Sequence, residues 1–205
     1  MEQITEHLLF VTSCYVTYLE DIDNTKISES AKQLEISSSS EHRSNKGGFQ
    51  SPPFYDNHFD NEETSKLFQK FICPMAQQIL NSWNLNKDIQ YYSYWYNVNR
   101  RYNYNNPHIH AGAYLSGVYY SKVPKDSGKI IFDRAQSELD RLEFQQTHIE
   151  INNLKIDNNR LNTQHWFNPE EGMLILFPGH LSHYVEQNLT QDKDDARISL
   201  SFNFL

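Results

Sequence analysis

Three histidines carry the strongest chemical signal in this chain: His108 and His110 in NNPHIHAG, and His183 in FPGHLSHYV. Side chains alternate in extended backbone, so His108 and His110 project to the same side if their segment is a strand or strand end. Imidazole nitrogen suits ferrous iron and its neighbours, and a third ring delivered by a later strand would complete a three-ligand metal face. Pro107 and Gly112 would shape the approach and exit of that element, although both are also ordinary turn residues. His180 competes with His183, but an offset of three places it off the strand face. Asp133, at the end of GKIIFD, is another possible acidic ligand, and its ordinary reading is a strand-terminal turn carboxylate. A hydrogen-bonded rim histidine is the plain alternative for His183.

An arginine completes the set. In RISLSFNF, Arg197, Ser199 and Ser201 share one face by alternation, and Ile198, Leu200 and Phe202 share the other. On a solvent face Arg197 would be unremarkable, but in a pocket its planar donors suit a carboxylate. Tyr120 falls on the same face as Ser116 and Val118 and could add a phenol hydrogen bond, while Tyr119 should point the other way. Trp95, Asn97 and Asn99 share a face of an aromatic strand and could orient a substrate or cosubstrate; packing and strand-edge roles are the alternatives.

These residues need a scaffold, and its limits come from composition. At 205 residues the chain is near the size of one ordinary domain, so one domain spanning 1–205 is expected. The 13 Tyr and 12 Phe favour strands and aromatic packing over a helical bundle. A formal charge of -8, from 18 Lys and Arg against 26 Asp and Glu, disfavours nonspecific binding to a phosphate backbone, so no nucleic-acid partner is expected. Cys14 and Cys73 alone make neither a disulfide framework nor a cysteine-rich metal site, and the reducing cytoplasm is the simpler setting. MEQITEHLLFVTS reads as no signal peptide, and no run is long enough to span a bilayer, so no membrane association is expected.

Along the chain, residues 5–20 suit an opening strand, and residues 34–53 read as a mobile loop because they lose apolar periodicity and gain Ser, Asn, Gly and Pro. NEETSKLFQKFICPMAQQILNSW places Leu67, Phe68, Phe71, Ile72, Met75 and Ile79 on one helical face, with Asn61 or Thr64 as cap and Pro74 as an interruption. From Ile89 the period changes to short β-rich runs, which predict an antiparallel sandwich or barrel. A long polar insertion covers 135–168, with an alternation at Ile149, Ile151 and Leu154 that could add an irregular strand.

WYNV, PHIHAGAYLSGVYY, SGKIIFD, GMLILFPGHLSHYVEQN and RISLSFNF, in that order, resemble the 2-oxoglutarate and Fe(II)-dependent oxygenases of bacterial and phage genomes. The resemblance spans Trp95 to Phe204 and implies a mainly β double-stranded β-helix, of jelly-roll or cupin-like form, with a supporting N-terminal helix. It implies Fe(II) on His108, His110 and His183, and 2-oxoglutarate held by Arg197 with Tyr120; Ser199 and Asn97 join this cosubstrate set from their strand faces. The partners implied are 2-oxoglutarate, O2 and an organic substrate, the products succinate, CO2 and an oxidised, typically hydroxylated, molecule. The substrate is expected to be a small amino acid or peptide-like molecule. One departure stands out, because the superfamily's usual motif is His-x-Asp and here its second position is His110. A three-histidine set leaves the metal's charge less compensated. It keeps open a direct, cupin-like dioxygenase that needs no oxoacid. A register built on His110-x-Gly112 would instead leave a coordination position for halide, as in iron halogenases, and a nonenzymatic β-sandwich binding or structural protein is the reading outside enzymes.

Overall fold

The structure is a computed structural model, and it describes residues 12–85, 88–89, 91–133 and 164–205. Its first half holds β1 (Tyr15–Tyr18), α1 (Asn24–Ser37), β2 (Asn45–Lys46), β3 (Phe49–Gln50), β4 (Phe54–Tyr55), α2 (Glu62–Lys66), a π-helical turn (Leu67–Ile72) and α3 (Cys73–Ser82). The second half adds β5 (Tyr92–Asn99), β6 (Tyr104–His108), β7 (Leu115–Lys122), β8 (Ile130–Asp133), β9 (Gln164–Phe167), β10 (Met173–Pro178), β11 (His183–Val185) and β12 (Arg197–Phe204). A seven-stranded sheet runs β1-β10-β7-β12-β5-β3, with β4 also on β5, and a five-stranded sheet runs β2-β6-β11-β8-β9. Every pairing among the described strands is antiparallel.

Period-two alternation sorts the side chains of the large sheet between two cores. Tyr92, Tyr94, Tyr96 and Val98 of β5, Tyr119 of β7, Leu174 and Leu176 of β10, and Ile198, Leu200, Phe202 and Phe204 of β12 join Ile27, Ala31, Leu67, Phe68, Ile72, Ala76, Ile79 and Leu80 of the helices. The opposite parity joins Val118 and Tyr120 of β7 and Met173, Ile175 and Phe177 of β10 to Ile130 and Phe132 of β8, which fills the space between the sheets. The helices therefore cover one face of the large sheet, and the second sheet covers the other.

The N-terminal half departs from the sequence reading. Residues 34–53 are not one loop: α1 reaches Ser37, and β2 and β3 follow. Helix α1 buries only Ile27, Ser28 and Ala31, so its apolar stripe is too thin to register as periodicity against its Ser, Glu and Lys residues. Its start signal was nonetheless written in Asp23, whose carboxylate accepts from the backbone N–H groups of Thr25 and Lys26. In the second helical segment Asn61 is the cap, accepting from Thr64 N–H. Pro74 does not break that segment; it sits in the first turn of α3, directly after the π-helical turn, whose wider winding accommodates the missing proline N–H and the ring's bulk. Of the opening strand expected over 5–20, residues 15–18 are strand and residues 1–11 lie outside the described residues, as do Ile149, Ile151 and Leu154. No helix among the described residues is long and apolar enough to cross a membrane.

Candidate metal centre and anion pocket

Register places the three histidines. His183 pairs directly with His108 across β11 and β6, and Phe132 of β8 lies on the other side of His183. His110 follows the end of β6, anchored by its backbone N–H to Gly179 carbonyl at 2.8 Å. Ring centroids stand 5.2 Å apart for His108 and His110, 4.3 Å for His108 and His183, and 5.0 Å for His110 and His183. One nitrogen from each ring lies within 4.8 Å of the others.

Hydrogen bonding at Nδ1 orients each ring. His108 Nδ1 donates to Asn106 carbonyl at 2.7 Å, and His183 Nδ1 donates to Leu181 carbonyl at 2.9 Å, since a carbonyl can only accept. His110 Nδ1 lies 2.5 Å from Asn203 Oδ1, which also accepts from Ser116 Oγ at 2.8 Å. With Asn203 Oδ1 facing its ring, His110 also carries its proton at Nδ1, and in that arrangement every Nε2 presents a lone pair. His108 and His110 then hold their Nε2 atoms 3.3 Å apart with no proton between them. Converging lone pairs repel unless a cation lies among them, and fixed outer hydrogen bonds of this kind are how proteins orient metal-binding imidazoles.

Electrostatics favours the same state. Burial and the neighbouring rings lower the pKa of His183 to about 3 and that of His110 to about 4. Burial also holds His108 below its usual value. All three rings are therefore neutral at neutral pH, the form that binds metal. His180 is exposed and stands outside the trio, while Asp133 also stands apart, accepting a hydrogen bond from Gln164 at 2.8 Å.

The same cavity contains Arg197, Tyr120, Ser199, Ser201, Trp95, Asn97 and Asn99. Cross-strand register sets them side by side, Arg197 with Asn99, Ser199 with Asn97 and Tyr120, and Ser201 with Trp95. Arg197 is only 2% exposed and donates to Ser127 carbonyl. It has no carboxylate partner among the described residues. Burial lowers its pKa, and the Tyr120 phenol is pushed up to about 12 by burial. A buried guanidinium without a carboxylate partner among the described residues is costly, and an anion in this cavity would offset that cost. Asn97 is engaged with Ser201 at 3.1 Å and with Asn45 at 3.4 Å, so its amide also braces the wall.

Three neighbours escaped the sequence reading. Ser44 Oγ lies 3.4 Å from His108 Nε2 and Asn105 donates to Ser44 at 3.3 Å, but Ser44 comes from a stretch read as loop and carried no signal. Asn203 was within reach, because it continues the parity of Arg197, Ser199 and Ser201.

A family profile described as "Putative 2OG-Fe(II) oxygenase" matches residues 93–203. No curated protein matches the chain in sequence. Among solved structures, a prolyl-4-hydroxylase from Pseudomonas putida is similar at a TM-score of 0.62 and 12% identity, over 94% of this chain and 92% of that one. The non-heme alpha-ketoglutarate-dependent epimerase SnoN of nogalamycin biosynthesis is similar at 0.60 and 12%, over 95% and 78%. A prolyl hydroxylase from Trichoplax adhaerens, solved with a hypoxia-inducible-factor peptide, follows at 0.59 and 10%, over 94% and 83%. At these identities the likeness is one of fold.

Proposed function

The chain belongs to the 2OG-Fe(II) oxygenase family, and from that premise we propose that it is an Fe(II)-dependent oxygenase that consumes 2-oxoglutarate within a single double-stranded β-helix domain. The observation that carries the reading is one cavity holding both a cluster of three converging imidazole nitrogens and a buried arginine with no carboxylate partner among the described residues. His108, His110 and His183 would hold the metal. Arg197 would bind the distal carboxylate of 2-oxoglutarate, with Tyr120, Ser199 and Asn97 around it. When bound, iron supplies the chemistry by which O2 is consumed, the oxoacid is cleaved to succinate and CO2, and a substrate C–H is hydroxylated. The protein's own part is to keep the imidazoles neutral and aimed, to fix the oxoacid by its far end and to limit water around the reacting groups. Asn105, Ser44 and Ser201 present amide and hydroxyl groups on the cavity wall, which suits a small amino acid or peptide-like substrate.

No carboxylate joins the trio among the described residues, which favours a second reading, direct dioxygenation by a three-histidine centre without an oxoacid. One experiment separates the two. Anaerobic protein is loaded with Fe(II), titrated with 2-oxoglutarate, then exposed to O2 with candidate substrates. The proposal expects saturable oxoacid binding that requires metal and succinate formed in step with oxidised product. Product without succinate would establish the direct reaction instead.

A further inference from the structure

The three rings are not fixed alike. His108 and His183 each donate Nδ1–H to a backbone carbonyl two residues away, which the local chain supplies whatever the rest of the protein does. His110 has no such carbonyl and depends on one side chain from the far end of β12, Asn203, 93 positions away in sequence. That side chain is itself held. Asn203 and Ser116 are direct cross-strand partners on β12 and β7, and Ser116, fully buried, donates to Asn203 Oδ1 at 2.8 Å.

We propose that Asn203, hydrogen-bonded to Ser116, is the positioning residue that makes His110 a metal ligand. This inference rests on the reading of the three histidines as a metal centre. An amide can turn either face to its neighbours, and the two choices have opposite consequences. With Oδ1 toward the ring, His110 carries its proton on Nδ1 and leaves Nε2 free for metal. With the amide reversed, Nδ2–H would need an unprotonated Nδ1, the proton would move to Nε2, and that nitrogen could no longer coordinate. The structure shows the first state, in which Oδ1 faces both His110 Nδ1 and the Ser116 hydroxyl. His110 stands at the position where the superfamily's usual motif carries a carboxylate, so the one ligand that departs from that motif is also the one whose tautomer needs a dedicated side chain.

The test is metal affinity, measured anaerobically by Fe(II) or Co(II) titration against a competing chelator, without oxoacid or turnover. Asn203→Ala should weaken binding by about 10- to 100-fold, the usual effect of removing a ligand's outer hydrogen bond. Asn203→Asp keeps an acceptor toward Nδ1–H and should bind metal at least as tightly as the natural protein. In the zinc-loaded natural protein, nitrogen-proton NMR should show a slowly exchanging His110 Nδ1–H that Asn203→Asp keeps and Asn203→Ala loses. A purely structural role for Asn203 would move the thermal midpoint of the metal-free protein without this rescue. If the natural protein binds metal and Asn203→Ala binds it within twofold of that affinity, the inference is wrong; if the natural protein binds no metal, the fault lies with the proposed function itself.

Discussion

Arg197 and His183 are buried polar residues of one cavity with different proposed tasks, and substitution should separate them. A charge-assisted hydrogen bond contributes roughly 1.5 to 3 kcal/mol, and every 1.4 kcal/mol is about tenfold in affinity. Arg197→Ala should therefore weaken 2-oxoglutarate binding by about tenfold or more while Fe(II) affinity stays near that of the natural protein. His183→Ala should lose metal binding and product formation together. Calorimetric titration of each ligand reads the contrast, and parallel loss of both ligands in both variants would point to damaged structure rather than separate roles. The histidines also set a pH dependence. His110 and His183 have folded pKa values of about 4 and about 3 against an ordinary value of 6.5. The unfolded chain thus binds more protons across that window, and the metal-free protein should lose stability as pH falls below about 6.5. Thermal midpoints taken in chelator at pH 7.5 and pH 5 should show the fall, and His183→Asn should reduce it. A flat profile would contradict the neutral, buried rings.

Strand β12 is the element on which the architecture turns. One parity, Ile198 to Phe204, enters the core shared with the helices; the other, Arg197 to Asn203, lines the wall of the site. A one-residue slip in its pairing would exchange these faces, so the two cores specify the register and the register specifies the site. Gly117 on β7 shows how closely the strands and the core are fitted: an added Cβ would lie 2.3 Å from the Phe202 ring and 2.6 Å from Ile175 carbonyl. Gly117→Ala should cost about 1 to 3 kcal/mol through overpacking, read as a lower urea midpoint. Helix α1 offers a milder test. Asp23→Ala removes the cap that accepts from Thr25 and Lys26, and should cost about 1 kcal/mol. A loop over this stretch would show no such loss.

For the molecule as a whole, metal binding at the trio would be linked to folding, because the trio is assembled from β6, the segment after it and β11, which the unfolded chain does not hold together. A metal at 100 times its dissociation constant should stabilise the fold by about 2.7 kcal/mol, so the thermal midpoint should rise with Fe(II) or Co(II) and return on chelation. His183→Ala should abolish that response, with a lower metal-free midpoint from the packing lost against Phe132 and Phe177. Much of this organisation was legible in the chain itself. Alternation depends only on backbone geometry, so the shared faces of Arg197, Ser199 and Ser201, the opposed directions of Tyr119 and Tyr120, and the common side of His108 and His110 could be read residue by residue. The capped helix with the apolar face of Leu67, Phe68, Ile72 and Ile79 was equally local. Other features exist only because distant strands meet. The direct pairing of His183 with His108, the exclusion of His180 and Asp133 from the trio, the approach of Ser44 to His108 and the hold of Asn203 on His110 all follow from cross-strand register. Helix α1 was missed for a related reason, since its thin stripe of Ile27 and Ala31 gains its stability from the large sheet it covers rather than from its own sequence. Local geometry determined which residues face together; only long-range packing decided which of those faces meet and leave Arg197 buried without a carboxylate partner among the described residues.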